Sequence, residues 1–365
     1  MMLDQHVPLQ SICRTLFDYE ITWFGEREFY DPDRARMTSL GDLKLLGLQQ
    51  IPQALPRPYY YSVENAVVSD RDILDPVRPN RVILEIYPDV TQMIEGRNWH
   101  FDPRERARKL RRAARLPESF REAFIFSDIQ WELYYHFLMD SCLRYVEIKQ
   151  SGAIGAGTPI LYYNAPNRWQ QEYLDLLGLP VSPDRILSSL GDVKIGRLIV
   201  GSPRRSRFVC SRNSVHRLRD QLLERLGGRG REGDRKIYIS RGLASSRRIL
   251  NEPEVRDYLE GRGFEMVTLE TMPVADQIRL FSEAGVIVAP HGAGLANMIF
   301  SAKPRIIELL PADGWDLGWF LCLTNQLGFD YLPIATAPGS ADDTLGKRAK
   351  GGDFAVDLPR LRQVV

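Results

Sequence analysis

The chain has 365 residues, 44% of them hydrophobic, and a formal net charge of +1, enough to build one large core or, as we expect, two. Acids and bases are interleaved, which excludes the whole-chain positive field of a nucleic-acid binder, so no nucleic-acid partner is expected. No apolar run approaches the ~20 residues needed to span a bilayer, and the start "MMLDQHVPLQSIC" lacks the basic and apolar regions of a signal peptide. A soluble, cytoplasmic protein is expected, with peripheral membrane contact left open.

In chain order, the first hundred residues are rich in Pro, Tyr and Asp and read as loops and short edge strands. "RVILEIY" (81 to 87) is a β-branched apolar run, and "RERARKLRRAARL" (104 to 116) is a basic helix surface. "EAFIFS" (122 to 127) and "TPILYYN" (158 to 164) read as strands on either side of a helix, "WELYYHFLMDSCLRYVEIK" (131 to 149). A second helix, "QEYLDLLGL", ends at Gly178, and "RLIVG" (197 to 201) is a further strand. Strands alternating with helices predict a parallel, helix-covered sheet. Cys13, Cys142, Cys210 and Cys322 lack the paired spacings of a zinc or redox motif and read as reduced structural thiols.

The composition then shifts at "SPRRSRFVCSR" (202 to 212), read as a crossing between domains. Beyond a helix, "SVHRLRDQLLERLG", comes a regular rhythm: strands "KIYIS", "FEMVTL", "VIVAP", "RIIELL" and "FDYLPI" with helices between them. Pro253 near the start and Gly261 near the end bracket one of those helices. This predicts a doubly wound domain. The expected division is 1–205, 206–335, and a mobile linker with a C-terminal segment, 336–365, ending in a short helix.

Three stretches carry chemistry. In "VIVAPHGAGLANMIF" a strand delivers the chain to His291, Gly292, Ala293 and Gly294 and a helix begins at once. Glycines let a ligand approach bare N–H groups, whose dipoles favour an anion, so a phosphate or diphosphate is expected there. In "YISRGLASSRRILNEPEV" Arg241, Arg247 and Arg248 occupy a loop after a strand, and Asn251 and Glu252 open the next helix. Loops beyond the carboxyl ends of parallel strands are where such sheets bind ligands, and guanidinium forks match phosphate. Glu308, in "IIELLP", is placed to accept hydroxyls of a ribose or sugar. In the first half, His136 and Asp140 fall one helical turn apart, as a base and its orienting carboxylate would, or as a surface salt bridge would. No D-x-D-like cluster ends a strand, so no essential metal and no cofactor is expected.

Taken together, "ELYYHFLMDSCLRYVEI", "YISRGLASSRRILNEPEV", "VIVAPHGAGLANMIF" and "IIELLP" resemble glycosyltransferase family 61, which includes capsular polysaccharide biosynthesis enzymes. The resemblance spans roughly 120 to 335, with His136, Leu138, Asp140, Leu143 and Arg144 matching its N-Y-x-H-W-L-x-D-x-L-P-R segment. Departures are Phe137 in place of Trp and Arg144 without a preceding Pro, and they leave the acceptor open. The resemblance implies an α/β, GT-B-like fold of two Rossmann-like domains facing a cleft. It implies an inverting transfer from a nucleotide-sugar, a UDP-sugar as first guess, to a hydroxyl of a glycan or related acceptor. On that basis Arg241, Arg247 or Arg248, and the turn from His291 to Leu295 hold the donor diphosphate, and Asn297 and Glu308 complete the pocket. His136, or Asp140 itself, is then the base. The competing readings are a nucleotide-sugar epimerase or hydrolase of the same architecture and a non-catalytic nucleotide-sugar-binding scaffold.

Overall fold

Continuous apolar runs bounded by turn residues are what strands buried on both faces require. In the computed structural model the second half of the chain turns those runs into a five-stranded sheet. The structure describes residues 22–23, 55, 58–69, 72–77, 103–128, 130–206, 208–228, 232–244, 247–310, 318–335 and 353–365. They fall into two compact units, the first running to Arg207 and the second from Phe208 to the end, with Leu55 joining the second. "RVILEIY", Cys13 and most of the expected linker lie outside the described residues.

In the first unit, β1 (Thr22–Trp23), β2 (Tyr59–Ser69), β3 (Asp72–Leu74), β4 (Glu118–Ile125), β5 (Ile160–Leu161) and β6 (Val193–Gly201) form one sheet, ordered β1-β2-β6-β4-β5 with β3 on β2. β4 runs parallel to both β5 and β6, as the alternating pattern predicts. β2 is antiparallel to β6, so this sheet is mixed rather than wholly parallel. The reason lies upstream: β2 comes from the Pro- and Tyr-rich segment, where no strand–helix alternation sets a crossover. Helix α1 (Pro103–Ala113) is the basic surface helix, with Lys109 paired to Asp72 and Arg112 to Asp192.

Helix α2 consists of Tyr134–His136, a π-helical stretch Phe137–Cys142, and Leu143–Gln150. Its regular helical reading is thereby corrected at the centre. Helix α3 (Arg168–Leu177) starts with a reciprocal capping box between Asn167 and Gln170 and ends at Gly178, whose φ of 71° is the left-handed cap that glycine adopts without steric cost. Rings from the two helices interlock: Trp169 lies 5.1 Å from both Tyr134 and Phe137, and the Tyr134 and Tyr173 hydroxyls are 2.8 Å apart. This aromatic packing fixes the rotation of α2 about its own axis.

The second unit begins with α4 (Arg212–Arg225) and continues as β7 (Arg235–Ile239), α5 (Glu252–Glu260), β8 (Glu265–Val267), α6 (Val274–Ser282) and β9 (Ala284–Pro290). After a 3-10 helix at Ala293–Phe300 come β10 (Arg305–Leu310), α7 (Gly318–Leu327), β11 (Asp330–Ala335) and α8 (Leu358–Val364). All five strands are parallel, in the order β8-β7-β9-β10-β11. The chain therefore reverses its direction of travel across the sheet between β7 and β9. That switch point is where doubly wound sheets open a crevice at the carboxyl ends of their strands. α8 packs Leu361 into the core beside Phe354 and Val356. Among the described residues, no helix is long and apolar enough to cross a membrane, and Cys142, Cys210 and Cys322 are buried and form no disulfide.

Candidate active site

The switch point of the second unit gathers the loop after β7 and the turn after β9. Arg241 lies so close to Gly292 that a Cβ there would stand 2.3 Å from Arg241 Nη1. Gly292 is extended (φ 176°), so glycine is needed for this approach and not for backbone freedom. Arg247 Nη1 donates to the carbonyl oxygen of His291 at 3.4 Å. Two guanidinium groups thus flank one turn. Burial, then the neighbouring Arg247 charge, pull Arg241 below the usual guanidinium range, and burial does the same to Arg247. Crowded like charges in a half-buried place are what a bound anion would relieve. Arg247 also has φ 59°, a left-handed conformation costing a non-glycine residue about 1–2 kcal/mol.

The amides at Ala293 and Gly294 open the 3-10 helix, and both residues are only half-buried. First-turn N–H groups have no acceptor within their own helix. His291 is buried beneath them: its Nδ1 lies 2.5 Å from Glu308 Oε1, while Tyr331 donates its hydroxyl to Glu308 Oε2. Glu308 is thus corrected from an open sugar-binding carboxylate to a fully buried one that holds the His291 ring. Three further expected donor residues point elsewhere. Arg248 forms an ion pair with Asp353, and the Asn251 side chain bonds both ways with the backbone of Val356. Asn297 is buried and donates to Gln277. Leu295 is core, and Glu252 accepts hydroxyl protons from Ser240 and Tyr238, which orders the loop from behind.

The first unit assembles a separate cluster around α2. His136 Nδ1 lies 2.7 Å from Asp140 Oδ2. Arg205, fully buried, donates Nε to Asp140 Oδ1 at 2.6 Å and Nη2 to Oδ2 at 3.0 Å. Although burial pushes the other way, the Arg205 charge and the His136 and Arg205 hydrogen bonds hold the Asp140 carboxyl below its usual range. An ionised carboxylate only accepts, so the bond between the two runs from His136 Nδ1–H to Asp140. One residue on, Ser141 donates to Asp128, which burial and the nearby Asp140 charge raise to about 6. Arg144 donates one nitrogen to the carbonyls of Ile125, Phe126 and Ser127, pinning the end of β4 to the helix. The widened π turn lets Asp140 face His136 while its neighbour Ser141 faces Asp128. Sequence reasoning missed Arg205, Asp128 and Ser141. Arg205 sits in a segment that reads as linker, and no spacing links it to α2.

Residues 134–307 match the family model for Glycosyltransferase 61. This stretch belongs to the glycosyltransferase 61 family. The matched span takes in the His136–Asp140 pair, the arginine loop and the His291 turn, and it ends one residue before Glu308. Membership supports a glycosyltransferase activity, which calls for a sugar donor and an acceptor. No curated protein matches the chain. Among the described residues no group of three or more His, Cys, Asp or Glu is arranged to hold a metal ion.

Proposed function

We propose that the protein is an inverting, metal-independent glycosyltransferase of the GT-B class that moves a sugar from a nucleotide-sugar to a hydroxyl of a glycan acceptor in surface polysaccharide synthesis. The observation that carries the donor half is the approach of Arg241 and Arg247 to one glycine turn at the sheet's switch point, inside the family-matched stretch. Their charges, with the amides of Ala293 and Gly294, would stabilise the departing nucleoside diphosphate as the bond from sugar C1 to its oxygen breaks. His136 is the base. Its Nε2 takes the proton of the acceptor hydroxyl as that oxygen bonds to C1, and Asp140 balances the imidazolium that forms. Asp140 is unsuited to be the base itself, because both its oxygens are occupied and its proton affinity is depressed.

The test is calorimetric titration with uridine diphosphate and other nucleoside diphosphates, followed by a labelled nucleotide-sugar with and without glycan fragments. Diphosphate binding lost in Arg241→Ala, and label reaching the glycan with inverted configuration, support the reading. Acceptor-independent conversion of the donor to an isomer refutes transfer.

A further inference from the structure

Arg247 keeps a left-handed conformation, with φ 59°. From the next residue onward the loop is clasped by residues 353–356. Arg248 N–H donates to Asp353 Oδ1 at 2.9 Å, and its Nε and Nη2 donate to Oδ2 at 2.9 and 2.7 Å. Phe354 N–H donates to the Arg248 carbonyl at 3.0 Å and Leu250 N–H to the Phe354 carbonyl at 2.8 Å, a parallel bridge centred on Ile249. Asn251 Nδ2 donates to the Val356 carbonyl and Asn251 Oδ1 accepts from Val356 N–H, at 3.0 and 2.8 Å. Phe354, Val356 and Leu361 then anchor the segment in the core of the same unit.

We propose that residues 353–356 are a positioning element of the anion site, fixing the loop so that Arg247 keeps its strained backbone and aims at the His291 turn. This rests on the diphosphate reading of that site. A non-glycine residue with positive φ persists only where its surroundings over-determine it, and here one side of Arg247 is tied by backbone and side-chain bonds at once. Two effects of Asp353 oppose each other. Its charge also acts on Arg241 and would repel an anion, whereas its bonds orient the loop. The Arg248–Asp353 pair is exposed enough for solvent to screen that repulsion, so orientation is the larger effect.

The experiment measures the dissociation constant for uridine diphosphate in the full-length protein and four variants, with melting temperature alongside. Asn251→Ala removes the Val356 bonds with no change of charge, and Asn251 makes no capping bond to lose. Asp353→Ala removes the ion pair, and Asp353→Glu restores it. Arg262→Ala loosens the same segment at its far end, where Arg262 donates to the Val365 carbonyl. Asn251→Ala and Asp353→Ala are each expected to weaken binding by about fivefold or more, with melting temperatures held within a few degrees. Asp353→Glu should recover most of that loss, and Arg262→Ala should stay within about twofold of wild type. Unchanged or tighter binding in both Asn251→Ala and Asp353→Ala overturns the inference while leaving the diphosphate site standing, and so does an equal loss in Arg262→Ala. Failure of the wild-type protein to bind either uridine diphosphate or inorganic pyrophosphate overturns the site reading, and this inference with it.

Discussion

Arg205 binds both oxygens of Asp140, across 65 residues of sequence and with no exposure to solvent. Removing one partner of a buried pair strands the other charge. Arg205→Ala is expected to lower unfolding free energy by about 3–5 kcal/mol at neutral pH. The native Asp140 pKa is depressed, so the stability it contributes is present above the ordinary carboxylate range and is lost as pH falls through the native value. The penalty of Arg205→Ala should therefore shrink in acid. Denaturant unfolding at neutral and acid pH checks this, and a pH-independent penalty would mean that the pair is not what Arg205 supplies.

His136→Ala should lower kcat by about 10²- to 10⁴-fold while leaving uridine diphosphate affinity intact, because the proposal gives His136 the acceptor hydroxyl and gives the diphosphate to the arginine loop. Single-turnover transfer and calorimetry separate the two quantities. Full activity in this variant would remove His136 from the chemistry.

Asp128 works in the opposite sense to Asp140. Its pKa is raised from 3.8 to about 6, so the native state binds the proton more tightly than the unfolded chain. The stability linked to that proton is complete below the unfolded pKa and is lost as pH rises through about 6, a change on the order of 3 kcal/mol. Asp128→Asn should flatten the melting temperature between pH 4 and pH 7, roughly the window this linkage sets. A slope identical to wild type contradicts the assignment.

Gly292→Ala and Gly294→Ala make a matched contrast. At Gly292 the new methyl group meets the Arg241 guanidinium at 2.3 Å, and at Gly294 it meets the flexible Leu269 Cδ1 at 2.8 Å. Displacing Arg241 should cost about tenfold in diphosphate affinity, whereas Gly294→Ala should leave it nearly unchanged. Both backbones tolerate alanine, so folding is no confounder.

Tyr331→Phe removes one hydroxyl from the Glu308 carboxylate and should cost about 1–3 kcal/mol, since a buried acceptor loses its donor. Glu308→Leu should cost more and also free the His291 ring, which would appear as weaker diphosphate binding on top of the lower melting temperature.

The second unit was legible because its strands are unbroken β-branched runs separated by turn residues, a local signal that parallel burial imposes. The pairing of His136 with Asp140 was legible for the same reason, as one helical turn is a fixed spacing. Arg205 was not, because its meeting with Asp140 is a tertiary event and its neighbourhood reads as linker. Arg247 and Arg248 are adjacent and chemically alike, and only the left-handed backbone at Arg247 sends one to the His291 turn and the other to Asp353. Glu308 misled as a strand-end acid because the two residues that neutralise its isolation lie 17 and 23 positions away.

The π-helical Phe137–Cys142 turn carries one residue more than a regular winding would. Loss of a single residue from it would let the coil relax into ordinary α geometry while the flanking halves keep their faces, because the wide turn is what absorbs the extra residue. Trp169 and Tyr173 hold the leading half, and the Arg144 clamp holds the trailing half, so the change would fall on the turn itself, where Asp140 faces His136 and Ser141 faces Asp128. The extra residue thus sits where two neighbouring side chains must turn to different partners, and a deletion would leave the coil continuous yet merge those two directions.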